Sequence, residues 1–431
     1  MNLDHLPGFR EFYPAPLPAN ESWSLDARRH VFEAWRRVAV RYGFREYDGP
    51  PLEPLELYTA KSGDEIVGQL FNFTDKGDRA VSLRPEMTPT LARMVARQER
   101  NYRKPIKWFA IPQLFRYEKQ QKGRLREHFQ FNADIFGETG RAADAEIIAL
   151  LIDSLRELGL GSGDFVVRLS SRLAWQAFFE RNAKPGADPA GFFQAIDKME
   201  REPPETTDGK LALAGCTLDQ VKAYVAAAEP TPDLREILDD VCARGLSDYV
   251  AIDYSVIRGL AYYTGPVFEA FDRKGVFRAI AGGGRYDQLV KMLSGGRADL
   301  PGLGFGMGDV VLLELLKDRG LLPEFGAGAE VFVLSEPGGS RAEALSLVQW
   351  LRDRGCAVDH SFTPQKLDKQ IKRAVELGCL GLARAEGSGL RKAWCRNLRT
   401  REEVSLDWEA IPGWVGELRS GCQQKIGQPV G

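Results

Sequence analysis

Residues 115–136 of this 431-residue chain read FRYEKQQKGRLREHFQFNADIF, with a strand-like sequence at each end and a polar, basic middle. The strand that enters from Trp108 ends at Arg116, and the strand that leaves begins near Gln130. Two strands joined by a charged connection predict a long antiparallel hairpin whose loop lies outside the core. Because alternate residues of a strand share a face, we expect Gln130 and Asp134 on the same side of the sheet.

The residues of this hairpin suggest a ligand as well as a fold. Arg116 stands at the end of the first strand, and Gln130, Asn132 and Asp134 form a polar row on the second. A guanidinium beside carboxylates suits a ligand that carries both a phosphate and an amine. The alternative is an ordinary antiparallel strand with one solvated face.

The composition is that of an ordinary packed protein. Hydrophobic residues make up 44% and charged residues 27% of the chain, which excludes wholesale disorder and a fibrous class. The length predicts two or three domains. No run of the sequence approaches the roughly 18 apolar residues of a membrane-spanning helix, so an integral membrane protein is excluded. The first residues show no basic region followed by an apolar run, and we expect no secretory signal.

The cysteines and histidines point away from metal or disulfide chemistry. The six cysteines lie far apart and form no Cys-x-x-Cys pair, and the chain has only four histidines. This pattern argues against a zinc site and a disulfide framework, and we expect no metal site in the protein alone. Reduced thiols suit the cytoplasm, so a cytoplasmic location is expected.

The charges are unevenly spread although the net charge is only −2. Residues 93–126 carry eleven Lys and Arg against two Glu, and residues 366–401 carry ten against three acidic residues. Two basic segments on a nearly neutral protein suggest a polyanion that touches two surfaces. The alternative for each segment is a solvated helix face.

Local patterns predict individual elements. Apolar residues at helical spacing over 24–43 predict an amphipathic helix with Ser24 as its N-cap and Gly43 at its end. Residues 276–281 have the pattern of a strand, and residues 304–308 are expected to lead into a helix.

The order of these patterns predicts the domain organisation. Helical patterns from about 172 to 248 indicate an insertion into a core that otherwise extends to residue 325. After a linker at 322–328, strands and helices alternate, which predicts a small α/β domain over 329–412. The tail at 413–431 gives no clear signal and stays unassigned.

Five segments together resemble one known family. Three of them are residues 83–88, which read LRPEMT, residues 258–265, which read RGLAYYTG, and residues 281–287, which read AGGGRYD. The other two are Pro50 and the 115–136 stretch. The set resembles the class II aminoacyl-tRNA synthetases, in the form found in histidyl-tRNA synthetases. The resemblance runs from about residue 8 to residue 314 in the family's order and spacing, and continues more weakly after residue 330.

The resemblance implies a fold and a reaction. The fold would be α+β, with a class II antiparallel-sheet catalytic core at 1–325, a helical insertion and a C-terminal α/β anticodon-binding domain. Motif 1, formed by the helix at 24–42 and the strand near Pro50, would make a homodimer. The enzyme would activate L-histidine with ATP to histidyl-adenylate and transfer it to the 3′ end of tRNA(His), with Mg2+ on the phosphates.

The resemblance also implies roles for residues at the family's motif positions. The catalytic cations at the α-phosphate would be Arg116 and Arg258. The contacts to ATP would come from Arg116, Glu118 and Arg258.

The same positions imply the amino-acid and tRNA contacts. Histidine would be held by Glu86, Thr88 and Gln130 at the ammonium end, by Asp134 and Tyr263 at the ring, and by Tyr262 along the pocket. The 115–136 hairpin corresponds to the family's motif 2, and the tRNA acceptor end would contact Gln121, Lys122 and Arg124 of its loop. The anticodon side of the tRNA would contact the basic face of 367–373. Glycines 282–284 would let the backbone approach the ligand, and Arg285 would help to position it.

Two departures from the family pattern stand out. Ala261 occupies a position where the family usually has Asp, and Val311 stands where motif 3 normally ends in an arginine that meets the terminal phosphate of ATP. Both departures resemble the branch of histidyl enzymes typified by plant organellar enzymes. Which group replaces the arginine stays open at this point.

Two other functions fit parts of the pattern. A catalytically silent paralogue, such as the regulatory subunit of ATP phosphoribosyltransferase, keeps the synthetase core but normally lacks the anticodon domain. A tRNA-sensing binding module would need neither Arg116 nor Arg258. Because the chain has the extra domain and these arginines, the sequence favours the enzyme.

Overall fold

A computed structural model of the chain describes residues 4–19, 22–62, 64–117, 123, 125–199, 202–257, 262–325, 328–336, 339–387 and 389–423. The chain divides into two compact units. One unit contains Met1–Arg10 and Arg28–Leu321, and the other contains Glu11–Ala27 and Leu322–Gly431.

The first unit is built on a large sheet and a small one. The strands are β1 (Arg45–Glu46), β2 (Leu52–Pro54), β3 (Asn72–Thr74), β4 (Ala80–Leu83), β5 (Ile106–Ala110), β6 (Gln113–Phe115), β7 (Glu127–Phe136), β8 (Phe165–Ser171), β9 (Val250–Ile252), β10 (Pro266–Asp272), β11 (Ala281–Arg285) and β12 (Gly302–Gly308). Within the described ranges, nine strands form the large sheet in the order β1-β5-β7-β12-β11-β10-β8-β9, with β6 also beside β7. The small sheet has the order β2-β4-β3.

Most neighbours in the large sheet are antiparallel. Only the two edge pairs, β1 with β5 and β8 with β9, run parallel within the part of the chain that the structure describes. The α+β core with an antiparallel sheet, predicted from the sequence, is thus confirmed.

The helices that accompany these sheets are α1 (Leu25–Arg41), α2 (Glu56–Ser62), α3 (Thr88–Gln98), α4 (Arg141–Arg156), α5 (Arg172–Asn182), α6 (Pro189–Asp197), α7 (Pro204–Ala214), α8 (Leu218–Ala227), α9 (Pro232–Ala243), α10 (Leu289–Leu293) and α11 (Asp309–Asp318). Short 3-10 turns lie at Asp64–Gln69, Glu99–Asn101 and Ser247–Tyr249. Helix α1 confirms the first helix predicted from the sequence. Ser24 is its N-cap as predicted, since the Ser24 hydroxyl accepts a hydrogen bond from the Ala27 amide at 3.1 Å. Gly43 then ends the helix with a left-handed φ of +75°.

Helices α5 to α9 fill the segment between β8 and β9, which confirms the helical insertion. Side chains cap three of these helices: the Ser171 hydroxyl, the Asp188 carboxylate and the Thr217 hydroxyl each accept from a first-turn amide. An aromatic cluster around the buried Trp175 and Phe192 packs between the helices.

Two strand predictions are wrong in detail. The first strand of the hairpin is broken into β5 and β6, both paired with β7, because Pro112 has no N–H to donate to a ladder. Residues 276–280 form no strand, and β11 begins only at Ala281. The Asp272 carboxylate accepts hydrogen bonds from the Lys274 and Val276 amides at 3.2 and 3.0 Å, which turns the backbone instead.

The second unit contains the C-terminal α/β sheet. Its strands are β13 (Val331–Val333), β14 (Val358–His360), β15 (Gly381–Glu386), β16 (Lys392–Asn397) and β17 (Glu403–Asp407), and its helices are α12 (Arg341–Arg352), α13 (Leu367–Glu376) and α14 (Ile411–Gln423), with a 3-10 turn at Trp408–Ala410. The order is β14-β13-β15-β16-β17, with the first three strands parallel and the others antiparallel. This α/β sheet agrees with the small α/β domain predicted from the alternating strands and helices.

Helix α14 lies in the tail that was left unassigned from the sequence. Pro412, Gly413 and Gly416 lower its intrinsic helix propensity, which hides the pattern. Tertiary packing stabilises the helix, because Ile411 and Val415 are fully buried against the sheet of this unit. No helix in the described part of the chain is long and apolar enough to cross a membrane.

Candidate active site

One face of β7 carries the polar row predicted from the sequence. Gln130 and Asp134 pair in register with Gly308 and Gly304 of β12. A side chain on Gly304 would lie 2.6 Å from the Ala133 carbonyl oxygen and closer still to the Asp134 carboxylate. A side chain on Gly306 would lie 2.5 Å from the Gln130 amide nitrogen. The glycines of β12 therefore leave the space that the polar row occupies, and the sequence reasoning did not assign them this role.

Asp134 is the most perturbed carboxyl of this face. Asp134 is only 1% exposed, and this burial raises the pKa of its carboxyl from 3.8 to about 7. The hydrogen bond that the Tyr286 hydroxyl donates to Oδ1 lowers the pKa, but by less than burial raises it. Oδ2 is buried and has no hydrogen-bond partner among the described residues. A buried carboxylate oxygen without a donor suits a ligand N–H.

A tyrosine pair packs beside Tyr286, whose hydroxyl donates to Asp134. The Tyr262 hydroxyl donates to Glu86 Oε2 at 3.0 Å, and the rings of Tyr262 and Tyr263 lie 4.9 Å apart. The Tyr262 ring also meets the Tyr286 ring edge-on at 5.7 Å. Thr88 is buried at the start of α3, directly after the Glu86 segment. The structure thus joins residues from three distant parts of the sequence.

Arg116 is tied to the same segment. Its Nε donates to the Pro85 carbonyl oxygen at 3.0 Å, and its amide donates to the Arg126 carbonyl oxygen at 2.8 Å. Burial, aided by the positive charges of Arg116 and Arg10, lowers the pKa of the nearby His128 to about 3. His128 is therefore neutral at physiological pH and adds no charge to the site.

Arg285 does not take the position that the resemblance implied. It pairs in register with Leu303 and lies on the face opposite Asp134, where it is buried. Its guanidinium donates to the Asp144 carboxylate, with Nη2 at 2.6 Å from Oδ2, and to the Glu138 carbonyl oxygen at 2.8 Å. Arg285 holds α4 against the sheet rather than positioning a ligand.

A second buried ion pair, not predicted from the sequence, supports the opposite face of β7. The Arg10 guanidinium reaches Glu127 Oε1 at 2.6 Å and Asp309 Oδ2 at 2.9 Å. Asp309 Oδ1 also accepts a hydrogen bond from the Phe129 amide at 3.0 Å. In the sequence, the only sign of this network is Glu127, because a charged residue on the apolar face of β7 requires a partner. The network fixes β7 to the start of α11.

Val311 is buried near the start of α11, so no cation stands at that position. A side chain on Gly123 would lie 3.5 Å from Val311 Cγ2 and 3.9 Å from Arg278 Cδ. The side chain of Arg278, a residue not singled out from the sequence, therefore passes the same point of Gly123 as Val311 does.

The other site residues expected from the resemblance, Glu118, Gln121, Lys122, Arg124 and Arg258, lie outside the described residues. In the described ranges no group of three or more His, Cys, Asp and Glu side chains is placed to hold a metal ion.

Solved structures show the same fold. A crystal structure of histidyl-tRNA synthetase from Nostoc sp. PCC 7120 superposes with a TM-score of 0.77 at 22% identity, and the alignment covers 97% of this chain and 99% of that one.

Sequence comparisons reach further than the fold. The family model described as histidyl-tRNA synthetase matches residues 23–308. A histidine–tRNA ligase of Opitutus terrae is 44% identical over 96% of this chain and 98% of its own length. The chloroplastic/mitochondrial histidine–tRNA ligase of Arabidopsis thaliana is 37% identical over 86% of this chain and 77% of its own length, in agreement with the two motif departures. The family model and these relatives show that the chain belongs to the histidyl-tRNA synthetase family.

Proposed function

We propose that this protein activates L-histidine with ATP and transfers the histidyl group to the 3′ end of tRNA(His). The observation that carries the proposal is the set of contacts that links Glu86, Tyr262, Tyr286 and Asp134. The half-buried Glu86 and the buried Asp134 offer acceptors at two points, as an amino acid with both an ammonium group and a ring N–H requires.

The ammonium end of histidine is assigned to Glu86, Thr88 and Gln130. Glu86 is fixed by the hydrogen bond from the Tyr262 hydroxyl at 3.0 Å, so its carboxylate is oriented before substrate enters. Gln130 stands on the same face of β7 as Asp134 and supplies an amide oxygen. Asp134 and Tyr263 take the imidazole end, with Tyr262 along the side.

The chemistry is displacement at phosphorus. A carboxylate oxygen of histidine attacks the α-phosphorus of ATP, pyrophosphate leaves, and a ribose hydroxyl of tRNA then attacks the histidyl carbonyl and releases AMP. Negative charge grows on the phosphate oxygens in the first step, and fixed guanidiniums stabilise it. We assign that work to Arg116, held by the Pro85 carbonyl oxygen, and to Arg258, with Glu118 also at the ATP. Mg2+ enters with ATP as part of the substrate.

The tRNA is assigned to two surfaces. Gln121, Lys122 and Arg124 of the motif 2 loop would contact the acceptor end. The C-terminal domain, taken as 329–412, would read the anticodon side through helix α13, where Lys369 and Lys372 are exposed. A homodimer through the motif 1 segment and a cytoplasmic location complete the proposal.

Two assays on the purified full chain test this function. Histidine-dependent ATP–pyrophosphate exchange reports the first step, and aminoacylation of tRNA(His) reports both steps. We expect both activities. If neither reaction is catalysed, a tRNA-binding measurement separates the alternatives. A protein that binds tRNA would be a sensor, and one that does not would be a regulatory paralogue.

The variant Arg258→Ala tests the assigned cation. We expect a loss of about a hundredfold to a thousandfold in kcat for exchange, because the variant removes a cationic hydrogen-bond donor that stabilises only the transition state. Arg258→Lys should recover part of the rate, since lysine keeps the charge but loses the paired donors. A normal kcat with only a raised KM would instead make Arg258 a ground-state binder.

A further inference from the structure

Residues 8–10, near the start of the chain, lie against the end of the motif 2 hairpin (β6 and β7) from which its loop leaves. The Gly8 carbonyl oxygen accepts hydrogen bonds from the Arg126 and Glu127 amides at 2.9 and 3.3 Å. The side chain of Arg10 reaches the same place, although 117 residues separate Arg10 from Glu127. The start of the chain is therefore part of the support of this hairpin.

The Arg10 guanidinium bridges two buried carboxylates. Its Nε donates to Glu127 Oε1 at 2.6 Å, and its Nη1 and Nη2 donate to Asp309 Oδ2 and Oδ1 at 2.9 and 3.3 Å. The remaining oxygen, Glu127 Oε2, accepts from the Gln113 side-chain amide at 2.9 Å. All four carboxylate oxygens thus have a donor, and the three charged side chains are at most 2% exposed. A fully paired network with so little contact to solvent holds its members in one arrangement.

Such a network contributes little to stability for the charge that it buries. Buried charges lose their hydration, and the attraction between them often does no more than offset that loss. Burial raises the pKa of Asp309, and the positive charge of Arg10 opposes the rise. What the network does supply is geometry, because a guanidinium presents paired donors in a rigid plane and so fixes two carboxylates relative to each other.

This geometry matters because Arg116 lies beside it. Strand β6 has three residues, and its last residue, Phe115, pairs in register with Glu127. The Glu127 side chain also holds the first residue of β6, Gln113. Arg116 follows β6 directly, and its amide donates to the Arg126 carbonyl oxygen at 2.8 Å. The backbone of Arg116 is therefore positioned by the strand that the ion pair holds in place.

We propose that Arg10 is a positioning residue for adenylate formation, which fixes the motif 2 hairpin so that Arg116 faces the α-phosphate of ATP. Arg10 itself is too deeply buried to contact a substrate. Asp309 extends the same restraint to the start of α11. This inference rests on the proposed function and adds a residue to its first step.

A purely stabilising role for Arg10 makes a different prediction. The variant Arg10→Met would then lower the Tm, but the folded protein would keep a normal kcat at temperatures well below the Tm. Under our proposal kcat falls although the variant is folded, because Arg116 is displaced from the reacting phosphate.

The test measures ATP–pyrophosphate exchange and the calorimetric Kd of L-histidine for the full chain. For Arg10→Met we expect kcat lowered about tenfold to a hundredfold, since a displacement of about 1 Å at a reacting group has effects of this size. The Kd of histidine should be unchanged. Arg10→Lys keeps the charge but loses the paired donors, so it should recover part of kcat. It also serves the same test if Arg10→Met does not fold.

Arg319→Met is the matched control. Arg319 is 9% exposed and bridges Asp164 and Asp272 at the far end of α11 from Asp309. Its loss also removes a cation from two carboxylates, so it should lower the Tm but leave kcat unchanged. Equal losses of kcat in the two variants would show that kcat responds to general destabilisation, and the proposal would be overturned.

A double-mutant cycle identifies the group through which Arg10 acts. Arg116→Ala alone should lower kcat, and adding Arg10→Met should lower it little further, because the side chain to be positioned is already gone. Losses that multiply would show that Arg10 does not act through Arg116, and a normal kcat in a folded Arg10→Met protein would leave Arg10 a purely stabilising residue. Either result would refute the proposal. A wild type without histidine-dependent exchange would refute the proposed function itself, and the role of Arg10 with it.

Discussion

The substitution Asp134→Asn makes the electrostatic cost of the pocket measurable in the ligand-free protein. Asparagine keeps an oxygen that can accept the Tyr286 hydrogen bond but removes the ionisable group. Burial raises the pKa of Asp134 from 3.8 to about 7. Because one pKa unit corresponds to about 1.4 kcal/mol, ionising Asp134 costs about 4 kcal/mol more in the folded state than in the unfolded state.

The sign of the pH dependence follows from proton binding. Between pH 4 and pH 7, the limits set by the two pKa values, Asp134 holds its proton in the folded state and loses it in the unfolded state. The wild type is therefore destabilised as pH rises through this window, and the loss stays constant above it. The variant lacks this contribution, so the stability gap between variant and wild type should widen from pH 4 to pH 8.

The assay is scanning calorimetry of both proteins without ligand at several pH values. At about 2 °C per kcal/mol for a large domain, the gap in Tm should grow by roughly 8 °C in favour of the variant. Asp239→Asn on the exposed side of α9 is the control for the Asp-to-Asn change itself. A gap for Asp134→Asn that stays flat or narrows between pH 5 and pH 8 would refute the buried, proton-retaining carboxyl.

Two further substitutions test other parts of the site. Gly304→Ala should abolish histidine-dependent exchange and lower the Tm of the first unit, because the new methyl would lie 2.6 Å from the Ala133 carbonyl oxygen, and a variant with normal Tm and activity would contradict this geometry. Arg278→Ala should raise the KM of ATP severalfold and leave the Kd of histidine unchanged if Arg278, whose side chain passes Gly123 as Val311 does, supplies the cation that Val311 lacks. An unchanged KM for ATP would show that the cation is supplied from elsewhere.

The face of the polar strand could be predicted from the sequence because strand periodicity is a local property. Two-residue alternation places Gln130 and Asp134 together whatever the strand pairs with, and the structure agrees. The N-cap and end of α1 were predictable for the same reason, since each depends on one residue and its neighbours.

Features that depend on distant contacts could not be predicted. The helix α14 is held by burial of Ile411 and Val415, against a propensity lowered by glycine and proline. Arg285 was misassigned because a motif position gives no information on which face a side chain occupies.

Gly283 and Gly284 of β11 and Gly304 of β12 lie where side chains of the protein come close to the strand backbone. The sequence suggested that glycines 282–284 allow a ligand to approach the backbone. In the structure a side chain on Gly284 would lie 2.8 Å from the Tyr263 ring, and one on Gly283 would lie 2.6 Å from Phe305 Cβ. The protein's own side chains fill these spaces, as Asp134 fills the space beside Gly304. Gly284 and Gly304 therefore act first by admitting Tyr263 and Asp134 into the sheet face, so a larger residue at either would displace one of these side chains before it met a substrate. Gly283 serves the packing of Phe305 and Phe268 on the opposite face.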